Sequence, residues 1–386
     1  MGNALAIIGL GYIGLPLAQE ACRSGFEVTG LDVSEPVVAG LNGGSSHVDD
    51  LDDADVIEMH AAGFQATSDS TILAEADVVV ICVPTPLSDD GTPDLDAVIM
   101  AAKAVGDHLG PGTLVVLEST TYPGTTDGAV REVLEERSGL MAGRDFGLAY
   151  SPERIDPGNP RYGLRNTPKV VGGLTPDCTD LAVAFYERLV DTVVPTSGLR
   201  EAELAKLLEN TYRHVNIALM NEMAVFCHEL GIDLWAAIDA AKTKPFGFEA
   251  FYPGPGVGGH CIPIDPNYLS WMVRSLGYRF RFVELAQEVS ERMPAYVAKR
   301  VQDSLNSVRK PVNGSRILLL GVAYKPNVSD QRETPARPLA IQLAEMGAEV
   351  RYADPHVEDF RAGGSSVVRE EDLGVGVAAA DLVVLL

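Results

Sequence analysis

Short apolar runs alternate with stretches of helical periodicity in the first third of the chain. The runs at residues 4–9, 27–32, 77–83 and 113–118 are rich in Val, Ile and Leu, which is typical of strands in a buried sheet. Residues 15–25 place apolar side chains at the spacing of an amphipathic helix. Strands separated by helices predict an α/β fold with a parallel, doubly wound sheet.

The pattern changes at Leu199. Residues 199–230 keep helical periodicity without Gly or Pro, and Gly231 ends the stretch. A helix of this length would extend about 48 Å. We expect it to link two domains or to form a dimer interface; the alternative is the core helix of a single domain.

The remainder of the chain predicts a helical part followed by a second alternating unit. A Gly/Pro-rich loop at residues 244–266 precedes helical sequence to about Ser307. The second alternating unit comprises residues 316–321, 335–346, 349–352 and 381–386. The predicted domains are residues 1–196 (α/β), 197–308 (helical) and 309–386 (α/β). Because the last apolar run has no helix after it, we expect a further C-terminal segment to be missing.

Composition supports a globular protein. The 386 residues suggest two or three domains, and 46% hydrophobic with 22% charged residues allow large cores. No apolar run reaches the roughly 18 residues of a membrane span, and the N-terminus lacks the basic region of a signal peptide. Five cysteines without a C-x-x-C pair indicate a reduced, cytoplasmic compartment.

The charge balance excludes some partners. With 30 Lys plus Arg against 54 Asp plus Glu, the net charge is −24, so nucleic acid and anionic membranes are not expected to bind. An anionic ligand would need local groups such as helix N-termini and a few placed cations.

A dinucleotide-binding motif lies at the N-terminus. Gly9, Gly11 and Gly14 form G-x-G-x-x-G between a predicted strand and a predicted helix, and Asp32 ends the second strand. No Lys or Arg occurs from Ser24 to Ala102 to bind a 2′-phosphate, and Asp32 would repel one. The sequence therefore predicts NAD rather than NADP.

Cys261 is the candidate nucleophile. It lies in a glycine-rich loop between His260 and Asp265, whereas three of the other cysteines lie in apolar or helical settings. Cys178 begins a predicted helix and could be either structural or reactive. Beside an NAD site, a loop cysteine indicates aldehyde oxidation through a thiohemiacetal and a thioester. Metal binding by His260 and Cys261 is not expected, because no second Cys/His pair has zinc spacing.

Three polar residues are ambiguous from the sequence alone. Lys206 and Asn210 share one face of the long predicted helix and could stabilise an oxyanion, but the spacing alone favours ordinary exposed surface residues. Glu153 follows a predicted strand end, where a carboxylate can face a ligand or simply be solvated.

These segments together resemble the UDP-glucose/GDP-mannose 6-dehydrogenase family over essentially the whole chain. The motifs that carry the resemblance are GLGYIGLP, VPTP, STTYPGTT, YSPERIDPG, EAELAKLLENTYRHVNIALMNE, PGPGVGGHCIPIDP and GVAYKPNVSDQRETPA. The resemblance implies an NAD-binding Rossmann-like domain, a central dimerisation domain that carries the cysteine loop, and a UDP-binding Rossmann-like domain. It also implies a homodimer and a UDP-sugar substrate.

The resemblance further implies a four-electron oxidation of a sugar C6 alcohol to a carboxylate, with two NAD⁺ reduced. Cys261 then captures the aldehyde, Lys206 and Asn210 bind the oxyanion, and Asp265 acts with Lys206 on water. Glu153 matches a hydrolytic glutamate, and Thr121 matches a water-binding threonine. Further matched positions are Tyr12, Ile13, Val83, Pro84, Thr85, Thr120 and Arg332 for the cofactor, and Arg154, Tyr252, Gly254, Gly256, Gly258, Tyr324 and Lys325 for the substrate.

The branch of the family follows from the cysteine loop. Pro245-Phe246-Gly247 replaces the Arg-Ile-Gly of glucose-oxidising members, and the loop resembles that of UDP-N-acetylglucosamine 6-dehydrogenases. UDP- or dTDP-glucose remains an alternative substrate. A two-electron dehydrogenase and a non-catalytic nucleotide-sugar sensor are alternative functions. The chain also departs from the family in lacking a basic residue after Asp32 and in carrying Pro157 at an acidic position.

Overall fold

The computed structural model describes residues 2–88, 91–156, 159, 161–259, 262 and 264–386. The chain divides into two compact units, residues 1–209 and 210–386, and each is described by itself.

The first unit is built on one large sheet. Within the described residues the strand order is β3-β2-β1-β4-β5-β6-β7-β8, and the neighbouring strands run parallel except for β6 and β7. The strands are β1 (Ala4–Ile8), β2 (Glu27–Leu31), β3 (Gln65–Thr67), β4 (Val78–Ile81), β5 (Leu114–Leu117), β6 (Gly147–Tyr150), β7 (Lys169–Gly173) and β8 (Val193–Pro195). The α/β prediction is confirmed, and the antiparallel β7 is the departure from a purely parallel sheet.

Helices cover both faces of this sheet because its strands are apolar on both sides. In β1, Leu5 and Ile7 pack in one core while Ala6 and Ile8 pack in the other. The helices are α1 (Gly14–Arg23), α2 (Glu35–Asn42), α3 (Asp53–Ala61), α4 (Asp96–His108), α5 (Arg131–Ser138) and α6 (Pro176–Tyr186), with a 3₁₀ segment at Ser70–Glu75 and a π-helical segment at Thr126–Val130.

Helix α7 (Leu199–Glu229) ends one residue before the end of the predicted stretch. It spans the boundary between the two units. Lys206 is in the first unit and Asn210 in the second, and both side chains are buried rather than displayed on the surface.

The second unit contains helices followed by a smaller parallel sheet. Within the described residues its sheet has the order β13-β10-β9-β14. The elements are α8 (Leu234–Ala241), α9 (Asp265–Ser275), α10 (Arg281–Ser307), β9 (Arg316–Leu320), α11 (Ala336–Glu345), β10 (Glu349–Ala353), β11 (Arg361–Ala362), β12 (Ser365–Ser366), β13 (Val368–Arg369), α12 (Leu373–Ala379) and β14 (Leu382–Leu385). Among the described helices, none has the length and apolar character needed to cross a bilayer.

A buried ionic cluster joins the ends of β5, β6 and β7. Because β7 runs antiparallel to β6, continuing their register from Tyr150 opposite Gly172 brings Glu153 opposite Lys169. The Lys169 ammonium donates to Glu153 Oε2 at 2.9 Å and to Glu118 Oε2 at 3.0 Å, and all three side chains are buried.

The two carboxylates of this cluster differ in acidity. Burial raises the pKa of Glu118, whose other oxygen accepts the hydroxyl of Tyr186. Burial would also raise the pKa of Glu153, but the Lys169 ammonium and two backbone N–H donors outweigh it and hold that pKa below its usual value. Glu153 is therefore a buried, ionised carboxylate rather than a solvated one.

We expect Lys169→Met to destabilise the protein strongly. The substitution leaves two buried carboxylates without their cation, which costs about 3–5 kcal/mol in comparable cases. The measurement is the free energy of urea unfolding. The matched control is Lys299→Met, because Lys299 is exposed and its 3.4 Å pair with Asp303 should contribute less than about 1 kcal/mol. Equal losses in the two variants would contradict a stabilising role for Lys169.

Candidate active site

A glycine-rich turn joins β1 to α1. Gly9 has a φ of +89°, and a Cβ there would approach the Cys82 carbonyl oxygen to 2.7 Å. A Cβ on Gly14 would meet the Gly9 carbonyl oxygen at 1.9 Å, whereas a Cβ on Gly11 would meet no atom within 4 Å. Glycine is thus required for the turn and for helix–strand packing, and the backbone at Gly11 is open to a pyrophosphate.

Asp32 follows β2 and its carboxylate closes the same turn. Its Oδ2 accepts the Leu10 N–H and its Oδ1 accepts the Ser34 N–H, both at 2.9 Å. This position after the second strand is where a carboxylate binds the adenosine ribose. The turn and Asp32 therefore fit the diphosphate and ribose of NAD.

The other predicted cofactor residues of this unit follow adjacent parallel strands. β1, β4 and β5 are neighbours, so their carboxyl ends lie at one edge of the sheet, where doubly wound folds bind ligands. Ser119 Oγ ties two of these segments together by donating to the Val83 carbonyl oxygen at 2.7 Å. The residues on these segments are Tyr12, Ile13, Val83, Pro84, Thr85 and Thr120.

Lys206 is buried and its ammonium has a defined partner. Only 6% of the residue is exposed, and Nζ donates to Thr120 Oγ1 at 2.6 Å. Thr120 directly follows Ser119 at the end of β5, so the hydrogen bond places a cation beside a predicted cofactor segment. Such a cation can stabilise a developing oxyanion.

Thr121 faces a different residue from Thr120. Its hydroxyl lies 3.5 Å from Glu203 Oε1 and the residue is fully buried. Of the two adjacent threonines, Thr120 is therefore the one that contacts Lys206.

Glu203 is a buried acid that the sequence reasoning missed. It lies one turn before Lys206 on α7 and is completely buried. Burial raises its pKa to about 7, although hydrogen bonds from Thr126 and Gly124 oppose the shift. The available signal was its spacing: an acid three residues before Lys206 shares its helix face.

Arg154 is bound within the first unit. Its guanidinium pairs with Glu209 at 2.6 Å and donates to the Pro168 carbonyl oxygen at 2.7 Å. Its backbone N–H donates to Glu153 Oε1. The departure at Pro157 lies outside the described residues.

In the second unit, Asn210 and Asp265 are paired. Asn210 Nδ2 donates to Asp265 Oδ2 at 2.6 Å, and both residues are buried. Asp265 is the first residue of α9. The hydrogen bond fixes the carboxylate that the family resemblance connects with water activation.

The predicted substrate loop packs against the segment after β9. Gly254 N–H donates to Asn221 Oδ1 on α7 at 2.9 Å. A Cβ on Gly258 would meet Tyr324 Cβ at 2.9 Å, and a Cβ on Gly256 would meet Pro335 Cβ at 3.0 Å. The close approach explains why this loop is rich in glycine and brings Tyr324 next to it.

The remaining predicted residues have local partners. Arg332 pairs with Asp330, and the Lys325 ammonium lies 5.7 Å from the ring centroid of Tyr324. The Tyr252 hydroxyl accepts from Lys242 at 3.1 Å and donates to Asp239 at 3.2 Å. These contacts do not assign the residues to a ligand.

Cys261, the predicted nucleophile, lies outside the described residues, as do His260 and Pro263. The other cysteines are Cys22, Cys82, Cys178 and Cys227; all four are unpaired and buried. In the described part of the chain no group of three His, Cys, Asp or Glu residues is arranged to hold a metal ion.

His214 is a second residue that the sequence reasoning missed. It lies one turn beyond Asn210 on α7 and is 1% exposed, and neither ring nitrogen has a hydrogen-bond partner among the described residues. Burial lowers its pKa to about 4, so it is neutral at pH 7. No signal in the sequence distinguished it from a surface histidine.

Comparison with known proteins assigns three domains to the chain. The NAD binding, central and UDP binding domains of the UDP-glucose/GDP-mannose dehydrogenase family match residues 3–190, 200–292 and 318–386. The UDP-N-acetyl-D-glucosamine 6-dehydrogenase of Pseudomonas aeruginosa is 37% identical over 92% of this chain and 83% of its own length.

Two further likenesses come from Pyrococcus horikoshii. Its UDP-N-acetyl-D-mannosamine dehydrogenase is 36% identical over 95% of this chain and 87% of its own length. The structure of a UDP-D-ManNAc dehydrogenase from this organism superimposes with a TM-score of 0.90 at 35% identity, covering 99% of this chain and 88% of that one. The predicted NAD-dependent dehydrogenase is confirmed at the level of the family: the chain belongs to the UDP-glucose/GDP-mannose dehydrogenase family of NAD-dependent nucleotide-sugar dehydrogenases.

Proposed function

We propose that this protein oxidises C6 of a UDP-N-acetylhexosamine, UDP-N-acetylglucosamine first, from the alcohol to the carboxylate. The observation that carries the proposal is Lys206, whose buried ammonium donates at 2.6 Å to Thr120, at the sheet edge where the dinucleotide turn also lies, in a chain that belongs to this family. The substitution of Pro245-Phe246-Gly247 for the glucose-type Arg-Ile-Gly supports an N-acetylated sugar.

The proposed reaction consumes one sugar, two NAD⁺ and one water, and yields the carboxylate, two NADH and three protons. NAD⁺ supplies a hydride acceptor in each oxidation. In the first, the C6 alcohol loses a hydride and its hydroxyl proton. The Cys261 thiolate then adds to the aldehyde carbon, a second hydride leaves the thiohemiacetal, and water cleaves the resulting thioester.

The family resemblance, together with the contacts of the described residues, supports a role for several side chains in this scheme. Lys206 and Asn210 stabilise the oxyanion at C6, and Asp265 orients the hydrolytic water while Asn210 holds its carboxylate. Glu153, kept ionised by Lys169, supports hydrolysis. We assign the water-binding role to Thr120 rather than Thr121, because Thr120 contacts Lys206.

UDP-N-acetylmannosamine is the second candidate substrate. Relatives named UDP-N-acetyl-D-mannosamine dehydrogenase reach 36% identity, nearly the level of the N-acetylglucosamine relative. The two sugars differ only in the configuration at C2, which is remote from the reacting C6.

We also propose that the chain divides into three domains, at residues 1–196, 197–308 and 309–386.

We expect two NADH per molecule of limiting UDP-N-acetylglucosamine, measured at 340 nm with excess NAD⁺. Parallel assays with UDP-N-acetylmannosamine and UDP-glucose identify which sugar is the substrate.

Cys261→Ser should abolish acid formation and leave NAD⁺ binding nearly unchanged, because the serine hydroxyl is a far weaker nucleophile than a thiolate.

Other stoichiometries would contradict this proposal in different ways. One NADH per sugar would indicate a two-electron dehydrogenase in which Cys261 is structural. NAD⁺ binding without NADH from any of the sugars would favour the sensor. Full activity of Cys261→Ser would exclude the thioester.

We expect Thr120→Val to lower kcat by about 10- to 100-fold, because it removes a hydrogen bond to the charged Lys206 worth about 1.5–3 kcal/mol. Thr121→Val makes the same chemical substitution at the neighbouring residue and serves as the matched control. It should lower kcat by less than about threefold. Steady-state kinetics with saturating NAD⁺ measure both. A larger loss in Thr121→Val would return the role to Thr121.

A homodimer is also proposed, through α7. Tyr212, Leu219 and Phe226 are large, substantially exposed side chains at heptad spacing on this helix. Tyr212 and Leu219 also line a cavity of about 380 Å³ together with Phe248. A second copy of the chain would cover this apolar stripe.

Sedimentation equilibrium should give the mass of two chains for the wild type. Leu219→Glu should shift the protein toward one chain, because it puts a charge into the apolar stripe. Leu373→Glu, an exposed leucine on α12, is the control and should remain dimeric. A monomeric wild type would disprove the proposal.

A further inference from the structure

Glu203 holds the segment between β5 and α5 by several hydrogen bonds. Its Oε2 accepts the Gly124 N–H at 2.6 Å. Its Oε1 accepts the Thr126 N–H at 2.9 Å and the Thr126 hydroxyl at 2.7 Å, with the Thr121 hydroxyl at 3.5 Å. The same segment begins at Thr120, the partner of Lys206. Helix α7 therefore holds this segment from two residues one turn apart.

The hydrogen-bond donors around Glu203 favour the ionised form of its side chain. The backbone amides of Gly124 and Thr126 are donors, and a carboxylate can accept from both while a carboxylic acid loses part of that capacity. Gly124 has a φ of +101°, so the orientation of its N–H group depends on a backbone conformation that most residues rarely adopt. The carboxylate thus fixes a turn that the backbone alone does not favour.

We propose that Glu203 is a positioning residue, which holds the turn at residues 121–126 against α7 and thereby sets the contact between Thr120 and Lys206. The proposal rests on the function proposed above, because it assigns Thr120 and Lys206 to the reacting centre. Glu203 itself does not contact substrate or cofactor in this scheme.

Titration of Glu203 makes this role visible as a pH dependence. Burial and, to a smaller extent, the charge of Asp127 raise its pKa to about 7 against the hydrogen bonds from Thr126 and Gly124, and Asp127 itself pairs with Arg200 at 2.9 Å. Lys206, one turn after Glu203 on the same helix, donates a hydrogen bond to Thr120 in the same segment. Above about pH 7 the carboxylate is ionised and holds the turn. As the pH falls through 7, a proton binds and weakens the Gly124 hydrogen bond, so the rate should fall toward low pH.

The first experiment compares pH profiles of kcat for UDP-N-acetylglucosamine, or for whichever UDP-sugar the stoichiometry assay identifies. The wild type should lose activity below about pH 7. Glu203→Gln should lower the plateau about tenfold and remove the step near pH 7, with little change in KM for the sugar. Glu201→Gln is the matched control, since Glu201 is exposed on the same helix. Persistence of the step in Glu203→Gln would overturn the proposal.

Two neighbouring substitutions should move the same step in opposite directions. Thr126→Val removes a donor to the carboxylate, so the step should shift to higher pH. Asp127→Asn removes a negative charge near Glu203, so the step should shift to lower pH. A purely structural role predicts no such opposed shifts, and their absence would overturn the proposal even if Glu203→Gln did not fold.

Amide hydrogen exchange separates this inference from the proposed function. Glu203→Gln should accelerate exchange at Gly124 and Thr126 while leaving the central strands protected, whether or not a sugar is oxidised. An inactive wild type with this local acceleration would refute the dehydrogenase but retain the anchoring by Glu203. An active wild type with unchanged exchange would refute the anchoring alone.

Discussion

The buried ammonium of Lys169 is the constraint on which the arrangement around the first sheet depends. A charge removed from water must be matched, and here the matching carboxylates follow two different strands, β5 and β6. The antiparallel course of β7 brings Lys169 to those strand ends. The strand register therefore places the ion pair network, and the network keeps Glu153 ionised.

Helix α7 carries several polar groups on its buried face. Glu203 and Lys206 bind the segment after β5, while Asn210 binds the first residue of α9. The spacing of three to four residues keeps these side chains on one side of the helix. Within each unit, α7 thus holds a segment that is distant from it in the sequence.

Much of the fold could be predicted because its signals are local. The strands around Ile7 and Val80 and the unbroken periodicity after Leu199 depend only on neighbouring residues. The glycine motif could be recognised in the sequence for the same reason, because the positive φ at Gly9 requires only that this one residue be glycine. The antiparallel β7 was not readable, because strand direction depends on pairing with β6.

The sequence by itself determined the α/β class, the dinucleotide turn with Asp32, the long helix and the preference for NAD. Each of these follows from residue type and spacing. Tertiary structure alone decided that Lys206 is buried against Thr120 rather than exposed, that Thr121 instead faces Glu203, and that Glu153 is ionised beside Lys169. The reason is physical: burial and charge pairing depend on residues up to 86 positions apart, and no local pattern specifies which of them meet.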